Sequence, residues 1–208
     1  MNNETRTVNT TTGGMNQSVR YVTVTAILAA VAFVLQCFEI SIPIMPGFVK
    51  FDFSDLPALL GSFALGPVCG VMICLIKNLL HLTFSNSMFV GELSNFILGA
   101  VFAAIAGIFY RKKKTKKMAL IGGLTGAVAM GLISVIYNNF VVYPVYYNVM
   151  PKEVILGAYQ AILPSMKTIF QCLVCFNLPF TIVKGLIAVA ISMLIYKPLS
   201  PILKGKQE

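Results

Sequence analysis

Long apolar runs follow one another along this chain, separated by short polar or proline-containing breaks. A bilayer core about 30 Å thick needs about 20 apolar residues of helix, so runs of this kind predict membrane-crossing helices. The first covers Tyr21 to Ile42 and ends in Ile42-Pro43-Ile44-Met45-Pro46-Gly47, where the prolines forbid a regular helix. Phe48 to Asp55 reads as a polar and aromatic loop. Leu56 to Phe84 is apolar throughout, but Gly66-Pro67 is a turn signal that divides it into two helices. The first of these, about 12 residues, would reach only about 18 Å and needs neighbours or interfacial segments to complete a crossing. Further spans are expected at Glu92 to Tyr110, Met118 to Val142 and Ile169 to Tyr196, with a polar link at Met150 to Lys167 that has room for a surface helix. The pattern thus predicts an all-α integral membrane bundle of six transmembrane helices.

Composition agrees with this pattern. The 208 residues are 57% apolar and only 11% charged, with mean hydropathy +0.83, whereas soluble domains carry about one charged residue in four. A net charge of +9 would suggest nucleic acid in a soluble protein. Here the cations sit beside the apolar spans and report topology instead. Arg6, Arg20, the run Arg111 to Lys117, Lys197, Lys204 and Lys206 fall on one side if the helix count is even, so both termini are expected to be cytoplasmic. Phe48 to Asp55, Ser85 to Gly91 and Met150 to Lys167 then face outward. Residues 1–20 read as a flexible polar tail without the features of a signal peptide, 21–197 as the six-helix transmembrane domain, and 198–208 as a basic cytoplasmic tail.

Two lysines, Lys77 and Lys184, fall inside predicted spans, where a charge costs roughly 2.5–3.5 kcal/mol and is normally turned inward and partnered. Asn177, Thr181 and Lys184 are spaced to share one helical face. Such a stripe either lines a cavity or joins helices by hydrogen bonds, and the charge on Lys184 favours the cavity. Lys77 and His81 share a face of their helix, and an ion pair between Lys77 and Glu92 would give both a structural role. Asn138 and Asn139 stand near an outer helix end with Tyr143 and Tyr146, the asparagine amides being suited to a planar heterocycle. The loop bearing Phe48, Phe51, Asp52 and Phe53 either lies on the interface or covers an outward pocket; beside Asn138 and Lys184 the cover is the better reading. Ala26 and Ala30 have a small-xxx-small spacing that serves internal packing or docking equally well.

No Gly-rich phosphate loop is present, nor a paired-carboxylate, Ser/His or metal-ligand set. These residues point to neither an enzyme nor a metal site. The five cysteines lie in apolar runs and read as small buried hydrophobes. An ion-driven, self-sufficient transporter using Lys77, His81 and Glu92 remains the alternative to a binding subunit.

Lys50-Phe51-Asp52-Phe53-Ser54-Asp55-Leu56-Pro57, Gly66-Pro67, Leu75-Ile76-Lys77-Asn78, Gly91-Glu92-Leu93-Ser94-Asn95, Asn138-Asn139-Phe140 and Lys184-Gly185-Leu186, taken in order, resemble the riboflavin-specific substrate-binding subunits (S components) of energy-coupling-factor (ECF) vitamin transporters. The likeness covers nearly everything after residue 20. It implies a subunit of a bacterial cell membrane, among membrane lipids, that captures riboflavin without chemistry and without a cofactor. Its implied partners are a transmembrane coupling subunit and two ATPases, with no nucleic acid. It also implies that the first loop, Asn138 and Lys184 hold the ring, and that Ala26 and Ala30 form the docking face. The family's asparagine is usually followed by an aromatic, whereas here Asn139 intervenes.

Overall fold

A computed structural model describes residues 17–85, 89–148 and 150–204. The tails expected at 1–20 and 198–208 therefore lie partly outside the described residues, as do three residues of the link after Ser85. Within the described part, the first helix takes in residues 17–20 and the last one continues to Lys204.

Helix α1 (Gln17–Cys37) stops ahead of the two prolines, and the chain turns back on itself. There β1 (Ile40–Ser41) pairs antiparallel with β2 (Lys50–Phe51), Ile40 opposite Phe51 and Ser41 opposite Lys50. Turn hydrogen bonds from Met45 N–H to the Ile42 carbonyl and from Val49 N–H to the Pro46 carbonyl shape the tip. This short hairpin is an addition to the all-helical expectation. Helix α2 (Asp55–Leu65) and α3 (Pro67–His81) meet at the predicted Gly66-Pro67 break. Gly66 sits at φ 106°, a conformation an L side chain rarely adopts, and Pro67 opens the next helix.

The remaining elements are α4 (Val90–Lys112), α5 (Lys116–Tyr137), α6 (Tyr143–Tyr146), α7 (Lys152–Gln160), α8 (Ile169–Cys172) and α9 (Leu178–Lys204). Single π turns at Asn138–Val142 and Leu173–Asn177 join α5 to α6 and α8 to α9 without a break. Among the described residues, five helical stretches are long and apolar enough to cross a membrane: Gln17–Cys37, Pro67–Phe84, Val90–Lys112, Lys116–Tyr146 and Ile169–Ile195.

The short α2 is explained by its neighbours. At roughly 16 Å it cannot span a bilayer alone, but it packs against α1, α3, α4 and α9, with Asp55 and every residue from Pro57 to Phe63 buried. Its first turn and its two polar side chains, Asp55 and Ser62, are thus enclosed by protein rather than lipid. Close approach elsewhere depends on small residues. On α5, a Cβ at Gly122 would lie 2.9 Å from the Ala106 carbonyl oxygen and one at Gly126 would lie 2.9 Å from that of Phe102, so this pair seats α5 on α4. Ala26 and Ala30, with the same spacing, are exposed on α1, while Ala29 and Ala32 beside them are buried. Internal packing is therefore not the role of Ala26 and Ala30.

Candidate functional site

The C-terminal ends of α1 and α3, the N-terminal end of α4, the π turns and the start of α9 converge at one end of the bundle. The opposite end carries the basic turn between α4 and α5. The converging ends, with the hairpin laid over them, enclose a cavity of about 400 Å³, within the range of small-molecule sites. Phe48, Asp52, Asn138, Tyr143, Tyr146, Asn177, Thr181 and Lys184 line it. Phe51, Phe53 and Asn139 are not among the lining residues. Phe51 is buried behind the wall, its ring edge-on to Phe53 at 5.0 Å and to Phe180 at 6.2 Å, and Phe180 itself faces the cavity.

Below the hairpin a closed ring of five side chains ties three segments together. Lys77 Nζ donates to Asp55 Oδ1 at 2.8 Å and to Ser54 Oγ at 2.5 Å. Ser54 Oγ in turn donates to Asp52 Oδ1, which also accepts from the Ser54 backbone N–H at 2.8 Å. Lys184 Nζ donates to Asp52 Oδ2 at 2.8 Å and lies 3.3 Å from Asp55 Oδ2, which closes the ring. Two ammonium groups balance two carboxylates, so charges that would each be costly at this depth are paired and hydrogen-bonded. Burial by itself would raise the Asp52 pKa, but Lys184, then Lys77, hold its carboxyl well below the usual carboxylate range. Lys184 and Asp52 form the cavity side of the ring; Lys77 and Asp55 form its enclosed side.

The expected Lys77–Glu92 pair does not occur. Lys77 points toward α2, where Asp55 is nearer, and Glu92 at the start of α4 meets His81 one turn farther along α3. His81 Nδ1 is 3.2 Å from Glu92 Oε1, and Ser85 Oγ donates to Glu92 Oε2 at 2.8 Å. Lys50 on β2 reaches across the hairpin to Glu39 at 2.5 Å. Lys50 thereby ties the cover to the end of α1, and His81 ties α3 to α4.

On the other wall, the two π turns re-aim side chains at cavity depth, as such turns commonly do at functional sites. In one, the Tyr143 N–H bonds to the Asn138 carbonyl, and Asn138 faces the cavity with its Oδ1 3.4 Å from Ser94 Oγ. In the other, Asn177 is fixed from outside by α7. The Tyr159 hydroxyl donates to Asn177 Oδ1 at 2.7 Å, and because it has a single proton, the Tyr143 hydroxyl must be the donor in the 2.5 Å Tyr143–Tyr159 bond. Burial pushes the Tyr159 phenol well above its ordinary pKa, so it stays a donor. Gln36, Glu39, Ser94, Phe180 and Tyr159 escaped the sequence reading as site residues. Of these, only Ser94 entered it, as part of the motif that begins at Gly91.

The site has polar groups that can hold a ligand and aromatic walls that can cover one. It presents no nucleophile paired with a base among the described residues. Residues 20–196 match the family described as "ECF transporter, substrate-specific component". A Staphylococcus aureus (strain TCH60) protein called riboflavin transporter RibU is 34% identical over 190 residues, covering 91% of this chain and 95% of that protein. The riboflavin transporter FmnP of Bacillus subtilis (strain 168) is 29% identical over 186 residues, covering 88% of this chain and 93% of its own. The solved structure described as "Structure and mechanism of the S component of a bacterial ECF transporter" superposes with a TM-score of 0.72 at 32% identity, covering 90% of this chain and 99% of that one. This is a family of transporters rather than enzymes. The chain is a multi-pass helical membrane protein that belongs to the substrate-specific components of ECF transporters.

Proposed function

We propose that this chain captures riboflavin from outside the cell and delivers it together with a coupling subunit and two ATPases. The observation that carries this is the 34% identity, over nearly the full length of both chains, to a protein named for riboflavin transport. The cavity has the chemistry such a ligand needs. Its planar ring fits between Phe48, Tyr143, Tyr146 and Phe180. The Asn138 amide bonds the imide, and Lys184 meets the electron-rich pyrimidine-dione edge. Phe51 and Phe53 act from behind by bracing Phe180, and Asn139 is left outside the contact. Asn177 and Thr181 complete the α9 wall.

In the same reading α2 is the sixth crossing, completed by its neighbours, and both termini lie in the cytoplasm with the basic α4–α5 turn. The cavity then opens outward from the cell membrane. Ala26 and Ala30 supply a small-residue strip on the exposed face of α1, where a coupling-subunit helix can approach closely. Reconstituted vesicles test the division of labour. Riboflavin uptake should require the coupling subunit, the ATPases and ATP, and should survive collapse of the ion gradients. Uptake by this chain alone, abolished by gradient collapse, would replace the proposal with secondary transport.

A further inference from the structure

Gln36 lies in the last turn of α1, lines the cavity and is only 2% exposed. Its orientation follows from a backbone group that cannot change role. The Cys74 carbonyl can only accept, so Asn78 turns its Nδ2 toward it, donating at 2.8 Å. That leaves Asn78 Oδ1 as an acceptor, which Gln36 Nε2 fills at 3.0 Å. The remaining atom of the Gln36 amide, Oε1, is buried and has no hydrogen-bond partner among the described residues.

Three other acceptors around the cavity are already engaged. Asp52 takes Lys184 and Ser54, Glu39 takes Lys50, and Asn177 takes Tyr159. A buried, pre-oriented acceptor without a partner, on a residue that lines the cavity, calls for a donor on the occupant, because an unmade bond there carries the full desolvation cost of the oxygen. Resting on the riboflavin reading, which gives the ring's N–H to Asn138, the donors left on the ligand are the hydroxyls of its ribityl chain. We propose that Gln36 is a specificity-determining residue whose Oε1 accepts a hydrogen bond from a ribityl hydroxyl, with the Cys74 carbonyl and Asn78 acting as its positioning groups. The ribityl chain then extends toward the α1, α3 and α4 ends of the cavity, away from the π-turn wall.

Fluorescence titrations of the detergent-purified protein with riboflavin and with lumiflavin, which has a methyl group in place of the ribityl chain, test this. Wild type should bind riboflavin more tightly than lumiflavin. Gln36→Leu should weaken riboflavin about tenfold, the scale of one buried hydrogen bond, and leave lumiflavin unchanged, which also certifies the fold of the variant. Wild type binding both flavins equally, or a variant that loses equally on both or on neither, overturns the assignment alone; the wild-type comparison decides this even if the variant does not fold. Wild type binding neither flavin overturns the functional reading and the assignment with it.

Discussion

Lys184→Met is expected to weaken riboflavin binding roughly ten- to hundredfold, the scale of a lost hydrogen bond to a charged group, and to destabilise the protein by about 3–5 kcal/mol. The two effects have separate origins. The ammonium holds Asp52 at 2.8 Å and stands 3.3 Å from Asp55, so its removal leaves surplus negative charge in an enclosed ring. It also faces the cavity, where in the proposed function it meets the ligand. Lys184→Met combined with Asp52→Asn separates them. Removing the surplus charge should recover much of the stability, read as the thermal unfolding temperature in detergent, while binding stays weak. Binding that returned with stability would reduce Lys184 to a pin for the hairpin.

Lys77→Met should be about as damaging to stability, also about 3–5 kcal/mol, for a different reason. Lys77 is 0% exposed and does not face the cavity; it holds Asp55 and Ser54 at the start of α2. Its loss leaves Asp55 half balanced beside a short helix that depends on its neighbours. The fraction that folds should bind riboflavin within about threefold of wild type. Adding Asp55→Leu leaves Lys184 and Asp52 as a balanced pair and should restore most of the unfolding temperature, since an ion pair replaced by apolar residues is often neutral. A variant of Lys77 that stays stable but loses binding would contradict the division of the ring into a ligand side and a structural side.

The ring also shows what the sequence could and could not disclose. Two lysines in apolar spans announced that partners must exist, and the insertion cost made that inference safe. Their identity was hidden, because Asp55 looks like a loop residue until α2 is seen to begin there and to pack among α1, α3, α4 and α9. The helix break at Gly66-Pro67 was legible because the backbone itself enforces it, whereas the first span, expected to run to Ile42, ends at Cys37, where the chain turns into the hairpin. The π turns were not legible, since a turn widened by one residue leaves no mark on a 3.6-residue period. That widening at Asn138–Val142 places Asn138 in the cavity wall and leaves Asn139 out of it. Gln36 was invisible as a site residue because its role comes from a relay through Asn78 to a backbone carbonyl on another helix.

Titration of riboflavin into the purified chain, without coupling subunit or ATPases, tests the central claim most directly. The chain has no Trp, so the flavin's own fluorescence is the signal. Saturable quenching at one site per chain, lost when Lys184 is replaced by Met, is the predicted result. A purified, folded chain that leaves riboflavin fluorescence unchanged would contradict it.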